Sequence, residues 1–404
     1  MDKLISKILK NGINVTTYSK TGLYTISACF SFNTPINMLD NQTLGVFHFI
    51  EHLICQSTEL QKKLDLTGAY FGGETYKEYT RYFLRVQKDY FMPLFKIILK
   101  SLFDLKITNS VILKEKQIVL NELKSYQNND YLVADDNLEK LLFPQTKIRY
   151  NSLGNRSSLG KLSITSINGY YKKFYQTNNL NVSVVGNLNN ELNQNIFKNL
   201  NLYKNQQIVQ QIKTNTFFNK TSKRIVNIKS KSKESIIAIG YHGYNKYEPE
   251  KYALRLLSNI LTNGYNSLLF DAIREKRGLV YYLESFTVEY SDLGYFEIKT
   301  ASCKKNADIV KDLLIKKLKN IIHEIDINKL NRSKIIFKNS TFAELENPLI
   351  LAAHLIDLNE LGELNKNINP ETALFYHIDE LNLKKFKDII KKINFNKPYI
   401  SIIS

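Results

Sequence analysis

The stretch Leu44-Gly45-Val46-Phe47-His48-Phe49-Ile50-Glu51-His52-Leu53-Ile54 decides how the rest of the chain is read. Its apolar residues suit a helix over residues 43–57. On a helix His48 and His52 stand one turn apart on the same face, a spacing at which two imidazoles can grip one Zn2+. Glu51 lies beside His52 and three residues after His48. Its carboxylate can therefore reach a water on the same metal, the general-base position of a zinc peptidase. With only six histidines in 404 residues, an HxxEH pattern is expected by chance fewer than about 0.01 times. Two buried histidines bonded to a glutamate would share the pattern, but burying such a trio needs partners and otherwise gains little.

A catalytic zinc site takes three protein ligands and keeps one position open, so the third ligand must come from elsewhere. Residues 110–127 read as a helix that is apolar nearly all round and should therefore be buried. Within it Glu115 and Glu122 are seven apart, two turns along one face. Two carboxylates on a buried stripe need a cation, and zinc supplies it, with Glu122 as ligand and Glu115 orienting a histidine from behind. Ordinary surface glutamates can show the same spacing. Cys55, three residues after His52, faces the metal or is a small core residue.

Outward from this motif, the first half shows strand-like Gly22–Asn33 and Thr80–Val86, and helical patterns at 90–104, 110–127, 132–142 and about 165–175. A buried strand follows at Leu180–Val185. The second half opens on strand-like Glu234–Tyr241, then helices across 248–263 and Ser267–Glu275, and strands near 280–288 and 292–300. Lys-rich helices occupy 304–324 and 326–345, and the chain ends on strand Tyr399–Ile403. Strands clustered ahead of runs of helices indicate α+β rather than alternating βαβ units. The expected architecture is two related domains, each a mainly antiparallel sheet packed against helices. Residues 1–203 form a metal-binding catalytic domain, 204–225 a basic linker, and 226–404 a metal-free second domain.

Lys and Arg exceed Asp and Glu by 18, a balance that invites a nucleic-acid reading. Eight of those charges lie in residues 201–233, which hold no acid. A solvated linker accounts for them, with attraction of acidic peptide as the alternative. No nucleic-acid module or aromatic stacking pattern accompanies them. Three scattered cysteines, Cys29, Cys55 and Cys303, make no disulfide framework. The N-terminus is basic and somewhat amphipathic but lacks an unbroken apolar core of a signal peptide. No window approaches the roughly 20 apolar residues of a spanning helix. A cytoplasmic protein with no membrane span is expected.

His48–His52 followed by Glu115 and Glu122 resembles the inverzincin peptidases of the insulinase/pitrilysin family, in particular its short two-domain members, mitochondrial processing peptidase and its bacterial relatives. Other segments carry the same resemblance. Ser57-Thr58 stands where the family has Gly-Thr. Gly68-Ala69-Tyr70-Phe71-Gly72-Gly73-Glu74-Thr75, running on to Thr80 and Tyr82, resembles its GGxxNAxTxxxxTxY strand. Leu268-Leu269-Phe270-Asp271-Ala272-Ile273-Arg274-Glu275-Lys276-Arg277-Gly278-Leu279-Val280-Tyr281 resembles the LFxxxREKRGLxY segment of its inactive domain.

The resemblance implies His48, His52 and Glu122 as zinc ligands, Glu51 as base and Glu115 as the outer acid. It implies that Arg274 and Tyr281 contact substrate backbone and the developing oxyanion, facing the metal site of a partner chain across a chamber. Lys276-Arg277-Gly278 also reads simply as a helix C-terminus. The peptide would add as a strand along residues 72–76. There Gly72-Gly73 replaces Asn-Ala, which removes a side-chain contact and permits closer backbone approach. Both parts of the site occur in this chain, favouring a homodimer over a heterodimer with a related subunit. A non-catalytic scaffold subunit that retains the motif is the alternative from another class.

Overall fold

The computed structural model describes residues 2–204, 223–365 and 367–404; the expected linker, 204–225, lies almost wholly outside them. The first half runs β1 (Lys3–Ile8), β2 (Asn14–Ser19), β3 (Thr25–Asn33), α1 (Val46–Cys55), α2 (Thr58–Thr67), β4 (Tyr70–Thr75), β5 (Tyr79–Gln87), α3 (Lys88–Phe103), α4 (Asn109–Gln127), α5 (Asp130–Leu142), α6 (Arg156–Lys161), α7 (Ile164–Phe174), β6 (Leu180–Gly186) and α8 (Asn190–Leu200). The second runs β7 (Ile225–Ile228), β8 (Glu234–His242), α9 (Lys251–Thr262), β9 (Val280–Glu289), β10 (Gly294–Cys303), α10 (Ala307–Lys319), α11 (Ile321–Glu324), α12 (Ile327–Leu345), α13 (Pro348–Glu360), α14 (Phe375–Asp379), α15 (Leu383–Lys391) and β11 (Tyr399–Ile403).

The strands form a six-stranded sheet, β1-β2-β6-β3-β5-β4, and a five-stranded one, β7-β11-β8-β10-β9. Every pairing is antiparallel except β2 with β6 and β7 with β11. With β1 set aside, the two sheets have the same order and the same directions: β2, β6, β3, β5 and β4 correspond to β7, β11, β8, β10 and β9. The fold is α+β, and the halves are copies of one unit although no residue-level repeat joins them.

The helices extend the correspondence. α4 and α12 each have 19 residues, and α5 and α13 each have 13. Yet α13, from the second half, packs on β6 and β3, whereas α5, from the first half, packs on β11 and β8. The first compact unit thus takes in Ala343–Ala373, and the second takes in Ser125–Tyr150. Each crossing helix has its own start signal: the Asn129 side chain accepts from Tyr131 N and Leu132 N, and Asn347 accepts from Leu349 N ahead of Pro348.

Each crossing helix is also pinned by a buried cation on the strand next to a sheet edge. In the first unit Arg81 of β5 pairs with Asp357 of α13, with Glu74 of β4 opposite it in register. In the second, Lys299 of β10 donates to Asp135 of α5 at 2.9 Å and reaches Glu284 of β9, its register partner, at 3.4 Å. An apolar cluster around Leu351, Ala352, Leu355 and Ile356 of α13 closes against Tyr18, Cys29 and Val185.

Two expectations change. The N-terminal stretch is an edge strand, with Lys3 opposite Ser19 and Ile8 opposite Asn14. Helix α4 is not buried all round: Ile112, Glu115, Val119 and Leu123 are buried, while Val111, Leu113, Ile118 and also Glu122 are exposed, so only one of the two carboxylates lies on the buried stripe. One stripe at spacings of three and four suffices to dock a helix. Cys29, Cys55 and Cys303 are free thiols. No helix among the described residues is long and apolar enough to cross a membrane.

Candidate active site

Helix α1 is the centre of the first unit, packed on β4, β5 and α7. Eight of its ten residues are buried. Burial of Phe47, Phe49, Ile50, Leu53 and Ile54 contributes about 1.5–3 kcal/mol apiece before entropy is counted. That is enough to offset desolvation of His48 and Glu51, which share the helix and are only 6% and 8% exposed. The helix begins at Gly45, whose φ of 91° and lack of room decide its identity: a Cβ there would lie 2.5 Å from the Leu153 carbonyl oxygen.

His48 and His52 present their rings on one face, centroids 4.6 Å apart. Glu122 of α4 meets both: its Oε2 lies 3.2 Å from His52 Nε2 and 3.6 Å from His48 Nε2. One ligand atom from each of the three residues falls within 4.8 Å of the others, the one such group of His, Cys, Asp or Glu among the described residues; Cys55 is outside it. Zinc bonds of about 2.0–2.1 Å set ligand atoms about 3.3 Å apart in a tetrahedron, so the separations at Glu122 fit a shared ion. Behind His52, its Nδ1 faces Glu115 Oε2 at 3.4 Å, and Glu115 is almost fully buried. His48 has no such support: its Nδ1 is buried with no hydrogen-bond partner among the described residues.

The charges are consistent with a cation site. Burial, then the neighbouring His52, lowers the His48 pKa to about 4, so the ring is neutral with a lone pair available. Burial also opposes charge on His52, but the hydrogen bond to Glu122 and the Glu51 carboxylate outweigh it and raise its pKa. The His52 hydrogen bond holds Glu122 below the ordinary carboxylate range. Burial pushes Glu51 up to about 7, against the lowering effect of a hydrogen bond from Thr75. Removing Glu115 should loosen His52: Glu115→Ala is expected to weaken zinc binding about 10–100-fold in a chelator competition. Unchanged affinity would remove Glu115 from the support of the site.

Gly72 and Gly73 lie on β4, the outer strand of the six-stranded sheet. Arg274 and Tyr281 belong to the second unit. Arg274 is exposed on the short helical turn Phe270–Glu275, its guanidinium 4.6 Å from the centre of the Phe270 ring. The N–H of Gly278, at φ 59°, donates to the Arg274 carbonyl, and the chain turns there into β9. Tyr281, the second residue of that strand, is half exposed; its hydroxyl donates to Glu234 Oε2 at 2.6 Å and lies 3.0 Å from the Tyr131 hydroxyl. Those two contacts, Glu234 first, raise its pKa. Neither Glu234 nor Tyr131 carried a signal in the sequence. Thr75 did, as the threonine of the strand motif, but its contact with Glu51 depends on how β4 packs against α1.

Fold and site together define a two-unit α+β chain with a candidate metallopeptidase centre in one unit. Residues 38–155 match the insulinase family (peptidase family M16), and residues 161–337 match the peptidase M16 inactive domain. The chain belongs to the M16 insulinase family. Among its relatives, a protein described as an uncharacterized zinc protease of Bacillus subtilis is 22% identical over 88% of this chain and 91% of its own. The probable mitochondrial-processing peptidase subunit beta of Arabidopsis thaliana is 19% identical over 96% of this chain and 76% of its own. A protease from Helicobacter pylori shares the fold at a TM-score of 0.88 and 18% identity, with both chains covered completely.

Proposed function

We propose that the chain is a zinc-dependent endopeptidase that cleaves unfolded peptides or leader segments inside a chamber formed by two subunits. The observation that carries this is the convergence of His48, His52 and Glu122 with Glu51 buried beside them. In this reading His48, His52 and Glu122 hold the zinc and Glu115 fixes His52. When bound, the ion supplies Lewis acidity toward a carbonyl oxygen and toward water. Glu51 takes the proton of the attacking water and passes it to the leaving amine. The peptide backbone pairs with β4 along residues 72–76, where Gly72 and Gly73 allow close approach.

Residues 1–203 act as the catalytic domain, 204–225 as a basic linker, and 226–404 as a metal-free domain that contributes Arg274 and Tyr281 to substrate binding. For Tyr281 to donate to an oxyanion its hydroxyl must exchange Glu234 for substrate. Two such chains form a homodimer, or one pairs with a related subunit, in the cytoplasm, where three free thiols are at home.

Purified chain is expected to hold about one zinc, to run as a dimer in light scattering, and to cleave an internally quenched unfolded peptide. A chelator should abolish cleavage, and zinc should restore it. A folded protein that takes up no zinc, or whose cleavage ignores the chelator, would overturn the proposal.

A further inference from the structure

We propose that Thr75 is a positioning residue for Glu51, that Gly73 leaves added room beside that carboxylate, and that the base is thereby tied to the strand on which the peptide is read. The inference rests on Glu51 being the base. Side chains alternate along β4. Glu74 stands opposite Arg81, whose partner Asp357 is on α13. Gly73 and Thr75 therefore share the other face, toward α1, where Glu51 lies. Thr75 Oγ1 donates to Glu51 Oε2 at 2.8 Å, the one hydrogen bond to that carboxylate among the described residues. Thr75 is β-branched and stiff at χ1, and it is held in register opposite Thr80 of β5. A strand fixed in this way presents its hydroxyl in a fixed direction.

Gly73 supplies the space. A Cβ at position 73 would come within 2.6 Å of both Cγ and Oε1 of Glu51 and 2.8 Å of Cδ. A Cβ there fits only if the flexible end of the Glu51 side chain gives way by a small shift. With one oxygen engaged by Thr75 and the side chain flanked by the bare backbone of Gly73, Glu51 is constrained in direction rather than only buried. A peptide that pairs with residues 72–76 would then align itself on the same strand that aims the base.

The test uses the full-length protein with and without zinc. Thr75→Val keeps the shape and removes the donor; it should lower kcat about 10–100-fold, the scale of a misplaced catalytic group, with KM changed less than about threefold. Thr75→Ser should restore most of kcat. Gly73→Ala keeps the hydroxyl and asks only a small shift of the Glu51 side chain, so it should lower kcat less than Thr75→Val does. In metal-free protein, Thr75→Val should lower the thermal midpoint in the wild type and leave it unchanged in a Glu51→Ala background. That arm requires no turnover, so a wild type that cleaves nothing would sink the peptidase proposal while the coupling between Thr75 and Glu51 is still decided. Full kcat in Thr75→Val, or equal midpoint losses in both backgrounds, would overturn the inference.

Discussion

Glu51→Gln is expected to bind zinc as the wild type does and to cleave an unfolded reporter peptide at least about 100-fold more slowly, within the range for loss of a general base. The amide has nearly the shape of the carboxylate, and its oxygen can still accept from Thr75. What it loses is the ability to take up a proton. The fold should not suffer, because burial disfavours the charge on Glu51. Steady-state cleavage measured beside metal content checks this. A variant with full zinc and a wild-type rate would take Glu51 out of the chemistry.

The second large effect lies in the other unit, where α5 meets β10. Glu297 is fully buried, and among the described residues neither of its oxygens meets a hydrogen-bond donor; its one polar neighbour of that kind is the Asp135 carboxylate, an acceptor. Burial, then the facing Asp135 carboxylate, lifts its pKa well above 4.5; Lys299 opposes the shift and Glu139 adds to it. The folded chain therefore holds a proton on Glu297 that the unfolded chain releases above its ordinary pKa. Stability is greatest on the acid side and falls as pH rises through that value toward the folded one. Glu297→Gln is always neutral and can donate to Asp135. It should stabilise the protein by about 1–3 kcal/mol at pH 8 and flatten the fall with pH. Lys299→Met acts in the opposite direction. It leaves Asp135 without its cation, which costs about 2–4 kcal/mol, less than for a fully buried pair because Asp135 is a quarter exposed. Thermal midpoints from pH 5 to 8 would test both. A steeper fall in Glu297→Gln than in the wild type would contradict the buried proton.

Helix α1 was readable because its signal is local: two histidines one turn apart inside an apolar run, with the glutamate between them. Most long helices and core strands were readable for the same reason, since periodicity acts within one element. The N-terminal strand was not. Lys3–Ile8 lies at a sheet edge with no face fully covered, so its pattern is weak and passes for a basic amphipath. Helix α4 misled in the other direction, because Val111, Leu113 and Ile118 widen its apolar pattern although they face solvent. The destinations of α5 and α13 were beyond sequence reasoning. Lys299 finds Asp135 164 positions away and Arg81 finds Asp357 276 positions away, and no local rule links them. The importance of Gly73 was visible only as a departure from a family motif. Its reason, the place of Glu51, needed the packing of β4 on α1.

The exchange of α5 and α13 has a consequence for how the chain is made. A ribosome releases the six-stranded sheet early, but the helix that covers its second face and supplies Asp357 is encoded more than 160 residues after its last paired strand, β6. Until Pro348–Glu360 emerges, the nascent chain must carry an open sheet face with Cys29, Tyr18 and Val185 uncovered. Such a face is a hazard for association with other nascent chains and a natural client surface for a chaperone. Synthesis of the C-terminal half is thus the step that completes the N-terminal one.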